Sequence, residues 1–206
     1  LEAAGFEVVT FHAVGSGGRT LERLAADGIL AGTFDVTTTE WADELCEGVF
    51  SAGPERLDAA GARGLPQVIA PGCLDMANFG AMETVPARFR DDPSRKFYVW
   101  NPQVTLMRTT PEENATLGRI LAEKANASRG PVEVFFPLRG VSILDSVTVD
   151  GPQPFWWPEA DATLLDALRT HLRPGIPLHE VDANVNDDAF VAATTEAMIR
   201  LMASMR

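Results

Sequence analysis

The strongest constraint on what this chain can fold into is an alternation. Runs that read as buried strands, at 7–14, 29–34, 66–70, 97–100, 131–136 and 177–182, alternate with segments whose apolar residues recur at helical spacing. No turn dipeptide such as Asn-Gly joins two neighbouring runs. Antiparallel neighbours can be linked by two-residue turns, whereas parallel ones need a crossover, usually helical. The pattern therefore predicts an α/β fold with a doubly wound, mostly parallel sheet of about six strands, helices on both faces, in a Rossmann-like three-layer arrangement. In such sheets ligands bind outside the carboxyl ends of the strands. The glycine turn at 15–18 and the segments 35–40, 71–78, 101–109, 137–145 and 183–187 are thus expected to gather along one edge.

The helices are legible to different degrees. Leu21, Leu24 and Ala25 mark a helix over 17–28, and Trp41, Leu45 and Val49 one over 40–49. A short helix is expected around Leu57 and another over 83–90. The best-specified helix starts at Thr110, which forms a capping box with Glu113 and has Pro111 at its first position; Leu117, Ile120 and Leu121 follow at helical spacing. Residues 160–172 form a further helix. The last begins after Asn186, read as its cap, with Asp187 and Asp188 in the first turn. Phe155-Trp156-Trp157 lies in a Pro-rich connection over 146–158, where exposed rings would suggest a lid or an oligomer interface and buried rings an anchor.

The first run, Glu7 to Val14, passes directly into Gly15-Ser16-Gly17-Gly18 and then a helix. A strand–turn–helix junction aims free backbone N–H groups and the positive end of a helix dipole at one spot, which suits phosphate or carboxylate. The turn departs from the dinucleotide Gly-x-Gly-x-x-Gly spacing and lacks the lysine of a P-loop. His12 stands three residues before it, as a candidate acid–base group or a strand-end histidine with a structural partner. Asp35 and Thr38 follow the second strand, where Thr37, Thr38 and Thr39 are equally suited to capping the next helix. Arg139 lies on the exit loop 137–145, either forking onto an anionic ligand or paired with Asp145. Asn186 completes the candidate ligand set. Neither a Gly-x-Ser-x-Gly elbow nor metal-ligand spacing occurs, so no metal site is expected.

The net charge of −12 disfavours nucleic acid, whose binding is driven by clustered Lys and Arg. A single nucleotide held by backbone amides remains compatible with it. No apolar run approaches the roughly 20 residues needed to cross a bilayer. Cys46 and Cys73 stand in dissimilar surroundings and read as reduced, buried thiols of a cytoplasmic protein. Leu1-Glu2-Ala3-Ala4-Gly5 reads as a helix end closed by glycine, without an initiator Met. Residues 1–206 are therefore expected to be a single α/β domain, the C-terminal domain of a longer two-domain protein.

Residues 7–22, Val68-Ile69-Ala70-Pro71-Gly72, residues 101–110, Phe136-Pro137-Leu138-Arg139-Gly140-Val141-Ser142 and Asn184-x-Asn186-Asp187 together closely resemble the family of the tomato mosaic virus resistance protein. The similarity covers nearly the whole chain. It implies an ATP-binding protein with a two-part α/β region, of which this chain is the second half, and bacterial members that are metabolic proteins without an assigned reaction. The expectation is a nucleotide- or small-anion-binding domain. Gly15, Ser16, Gly17 and Gly18 would hold phosphate, Arg139 would add charge, and Asp35, Thr38 or Asn186 would position sugar or metal. The alternatives are an enzyme acting on a small carboxylate or amide with His12 as acid–base group, and a non-catalytic oligomerisation module.

Overall fold

The computed structural model describes residues 1–205. A 3-10 turn at Glu2–Ala4 is closed by left-handed Gly5, as the opening residues suggest. The elements that follow are α1 (Ser16–Ala26), β1 (Thr33–Thr37), α2 (Glu40–Cys46), α3 (Asp58–Arg63), β2 (Gln67–Gly72), β3 (Met76–Phe79) and α4 (Ala87–Arg90). Next come β4 (Phe97–Asn101), β5 (Val104–Arg108), α5 (Pro111–Ala127), β6 (Val132–Pro137), β7 (Val147–Thr148) and β8 (Gly151–Pro152). The chain closes with α6 (Pro158–His171), β9 (Leu178–Val181) and α7 (Asp188–Ala203).

A four-stranded parallel sheet, in the order β1-β2-β6-β9, forms the middle layer. Side chains alternate across a strand, and here the alternation divides two cores. Ile69, Val134 and Phe136 face Trp41, Leu117, Leu121, Leu164 and Leu168 on the side of α2, α5 and α6. Val68, Ala70 and Phe135 face Phe190, Ala197, Met198 and Leu201 of α7. The inner strands β2 and β6 are buried along their whole length, as parallel strands covered on both faces must be. The fold is α/β, three-layered and Rossmann-like.

Three sequence expectations are corrected. The run 7–14 is not a strand: Val8 and Val9 are exposed, and no strand among the described residues pairs with it. Strand propensity expresses fit to a pleated, half-buried surface, and this run has none to lie on. The second strand is Thr33–Thr37 rather than 29–34, with Ile29 exposed and Gly32 seated closely under Met198 and Met202 of α7. Most consequentially, 101–109 is not an exit loop. β4 and β5 form an antiparallel hairpin that joins β3 in a separate three-stranded sheet, β3-β5-β4. The turn at Pro102-Gln103 is closed by the Asn101 side chain, whose Oδ1 accepts the Gln103 N–H at 2.8 Å. An Asx side chain thus does the work that an Asn-Gly signal would have advertised.

The capping box of α5 forms as expected. Thr110 Oγ1 accepts the Glu113 N–H at 3.3 Å and Glu113 Oε2 accepts the Thr110 N–H at 2.8 Å. The cap of α7 is Asp187, one residue later than expected.

Candidate functional site

The exits of the four parallel strands are stitched together by backbone bonds. Thr38 donates to Gly72 O, Cys73 to Val141 O and Val185 to Gly140 O. Thr109, at the end of β5, donates to Asp75 O and brings the antiparallel sheet to the same edge. The glycine turn joins this edge through α2. Gly15 adopts φ 79°, a left-handed value that glycine tolerates without strain. The Gly15 and Gly18 amides converge on one oxygen, Glu40 Oε1, at 2.7 and 3.0 Å. A Cβ on Gly18 would overlap that carboxylate, and one on Gly17 would run into the His12 carbonyl, so both positions need the bare backbone. Gly17→Ala is accordingly expected to destabilise the domain by about 2 kcal/mol or more, within the range of overpacking substitutions, as a lowered urea midpoint would show.

The positive end of α1 therefore holds an anion supplied by the chain itself. Glu40 Oε2 accepts from Arg56 Nε at 2.7 Å, and Arg56 Nη2 donates to Asp35 Oδ1 at 2.7 Å. Arg56 Nη1 reaches Glu22 Oε1 at 3.2 Å, and Glu22 also accepts the Leu57 and Ala59 amides at 2.7 and 2.8 Å. Glu40 is 1% exposed, Asp35 3% and Arg56 3%. Burial pushes the Glu22 carboxyl above its usual range, while its two amide bonds and Arg56 pull it back.

The other expected ligand groups divide. Thr38 is buried and donates to Ala70 O at 2.9 Å, which ties β1 to β2. His12 and Ser16 are exposed. Arg139 is exposed and forks onto Asp182 at 2.7 and 2.8 Å, so its ion-pair partner is Asp182 and not Asp145. Asn186 is exposed and donates to Asn184 Oδ1 at 3.0 Å. Arg139 and Asn186 share the β6–β9 end of the edge through Asn184, whose side-chain amide donates to Arg139 O at 3.2 Å. Two strand spacings, roughly 10 Å, separate β6 from β1.

A second buried cluster at this edge joins exit-loop residues with Arg108 and Asp161, which no motif signals. Arg108, fully buried, donates through Nη2 to Asp161 Oδ1 at 2.7 Å and through Nε to Phe155 O at 2.8 Å; Asp145 Oδ1 lies 3.5 Å from the same Nη2. Phe155 is buried and anchors its loop, with Trp156 and Trp157 half-buried beside it. Ser142 Oγ donates to Asp75 Oδ2 at 2.7 Å and accepts the Leu144 and Asp145 amides at 3.1 Å each. Burial raises Asp75 to about 7, with Asp145 adding to the rise and Arg108 and Ser142 opposing it. Burial and the Asp145 charge raise Asp161 to about 8 against the pull of Arg108.

Both thiols are free. Cys73, at a positive φ of 59° just past β2, has its thiol pushed up to about 12 by burial and by Asp75, the opposite of an activated nucleophile. Among the described residues no group of three or more His, Cys, Asp or Glu side chains is placed to hold a metal ion. No helix among them is long and apolar enough to cross a membrane.

The family model described as "Uncharacterised protein family (UPF0261) C-terminal domain" matches residues 1–202. A UPF0261 protein of Clostridium tetani is 44% identical over 203 residues, covering 98% of this chain and 48% of the relative. One from Rhizobium meliloti is 43% identical over 201 residues, covering 94% and 48%. The ToMV resistance protein Tm-1(GCR237) of Solanum lycopersicum is 36% identical over 209 residues, covering 98% of this chain and 26% of the plant protein. The chain thus spans about half the length of these bacterial relatives.

Proposed function

We propose, for a chain that belongs to the UPF0261 C-terminal domain family, that the domain binds a small anion at the strand-exit edge beside the glycine turn, with the phosphates of ATP as the first class to test. One observation carries this reading: with the Gly15 and Gly18 amides engaged by Glu40, the positive end of α1 still presents Ser16 and the nearby His12 to solvent. Helix N-termini favour anions through their unpaired N–H groups and dipole. Glu40, braced by Arg56, fixes the turn in that geometry, so the exposed Ser16 and the adjoining His12 are presented without a further ordering cost. Asp35 and Thr38 support the edge from behind rather than touching a ligand. Arg139 and Asn186 lie across the edge, where a longer ligand such as a nucleotide would extend.

The exposure of His12 beside the turn favours a second reading, in which the ligand is a small carboxylic acid and His12 its acid–base group. The remainder of a full-length relative would supply the other wall of the cleft.

Calorimetric titration of the chain with ATP, pyrophosphate, acetate and adenosine tests both. The phosphate-bearing ligands are expected to release heat and adenosine to give none; acetate alone giving heat would favour the second reading. Ser16→Asp places a carboxylate in the first turn of α1, which a helix N-terminus accommodates, and is expected to weaken binding by about tenfold or more. Silence with every anion, in this chain and in the full-length Clostridium tetani relative alike, would sink the proposal.

A further inference from the structure

The Arg108 cluster joins five segments that meet at the strand-exit edge. Asp75 comes from the β2 exit, Arg108 from β5, Ser142 and Asp145 from the loop after β6, Asp161 from α6, and the Phe155 carbonyl from the loop before it. It contains three carboxylates and one guanidinium. With all four ionised, the cluster would carry a net charge of −2 in a place where Asp75, Asp145 and Arg108 have no solvent access. Such a charge is untenable in a medium of low polarity unless protons neutralise it.

The geometry shows where those protons belong. Asp145 and Asp161 both turn an oxygen to the same Arg108 Nη2, at 3.5 and 2.7 Å, so the two carboxyl groups stand close enough to repel when both are ionised. Asp145 Oδ1 and Asp75 Oδ1 are buried oxygens with no hydrogen-bond partner among the described residues. Two like carboxylates at one cation share a proton in preference to ionising together.

We propose that the Arg108 cluster is a proton-operated latch on the strand-exit edge, closed while its carboxyl groups share protons and opened when those protons are lost. The moving part is the loop 138–145. Its shape depends on the cluster, because Asp145 Oδ2 accepts the Val141 amide at 3.0 Å and Ser142 Oγ accepts the Leu144 and Asp145 amides. Asp75, through Ser142, and Asp161, through Arg108 and Asp145, hold it from opposite sides. The groups facing the cluster from its neighbours are the Cys73 thiol, the Thr109 hydroxyl at 3.3 Å from Arg108 Nη1, and Asn184, whose amide donates to Ser142 O at 3.0 Å. None of these three brings a positive charge, so Arg108 alone balances each added negative one. Loss of a proton leaves Asp145 and Asp161 repelling across Arg108, and the strain falls on the Val141, Leu144 and Asp145 amides that Asp145 and Ser142 hold. Its release would loosen the loop beyond Arg139, whose own amide stays bonded to Ala183 O.

Amide hydrogen exchange across pH reads the latch directly. After correction for intrinsic exchange, protection at Val141, Leu144 and Asp145 is expected to fall by about tenfold or more between about pH 6 and about pH 9. Amides of the β4–β5 hairpin should keep theirs. Asp161→Asn and Asp75→Asn retain hydrogen-bonding oxygens but cannot ionise, and each is expected to reduce the fall. In the unsubstituted protein, pH-difference infrared spectra should lose a protonated-carboxyl band over the same window, a readout that does not require either variant to fold. Constant loop protection across the window, a fall shared equally by the hairpin, or an infrared difference without that band would each overturn the latch.

Discussion

Replacing Arg56 with methionine is expected to destabilise the domain by roughly 3–5 kcal/mol, the range for removing one partner from a buried ion pair. Domains are stable by only about 5–15 kcal/mol, so the variant should lose a large share of its margin and unfold at a clearly lower denaturant midpoint. The cause is not the loss of attraction alone. Arg56 is the cation shared by Glu40, Asp35 and Glu22, and without it Glu40 and Asp35 remain buried with no counter-charge. Methionine keeps the apolar stem's volume, which separates the charge effect from a cavity. Chemical denaturation of the variant, of Glu40→Gln and of the double variant decides the matter. If the three groups act as one network, the double variant loses much less than the sum of the singles. Additive losses would mean that Arg56 stabilises the fold by packing and not by binding Glu40.

Stability is also expected to fall as pH rises from about 5 to about 8, by a few kcal/mol in total. Asp43 and Asp75 are held near 7 and Asp161 near 8, in each case chiefly by burial. A carboxyl whose folded pKa is raised binds its proton more tightly in the folded state. Its contribution is full below the unfolded value near 4 and is lost as pH climbs through the folded value. Glu113 has the opposite sign: burial pushes it up, but Arg95 and the Thr110 amide hold it below its usual range, so its contribution is lost on strong acidification. Thermal melts from about pH 4 to about pH 9 should therefore show a maximum on the acid side of neutrality. A melting temperature that rises through neutral pH would contradict the burial of protonated aspartates.

The alternation of apolar runs and helical segments was enough to reveal the three-layer architecture, and the Thr110–Glu113 signature placed α5 at its first residue. The glycine turn was legible as an anion cradle, but not its occupant. Glu40 is 22 to 25 residues from the amides it accepts and looks in sequence like an ordinary first-turn acid. Arg56 carried no signal that set it apart from Arg63 in the same stretch rich in Gly, Pro and Ala. Asp75 and Asp145 were legible only as polar residues of exit loops, and Arg108 and Asp161 not at all, because a network whose members are up to 86 residues apart carries no local spacing. The β4–β5 hairpin was missed for a different reason, since Asn101 closes its turn with a side chain. The exposed run at Val8 and Val9 shows the converse, a strong strand composition without a strand beside it.

The two sheets differ in how far apart along the chain their partners lie. β4 and β5 meet across a two-residue turn, whereas β2 must find β6 with β3, α4, β4, β5 and α5 intervening. Closing such long loops sacrifices chain entropy before any contact compensates for it. The antiparallel unit can thus form early from local encounters, and completion of the parallel sheet is the slow event in folding. The strand-exit edge, assembled from the ends of all four parallel strands, is then among the last parts of the molecule to exist.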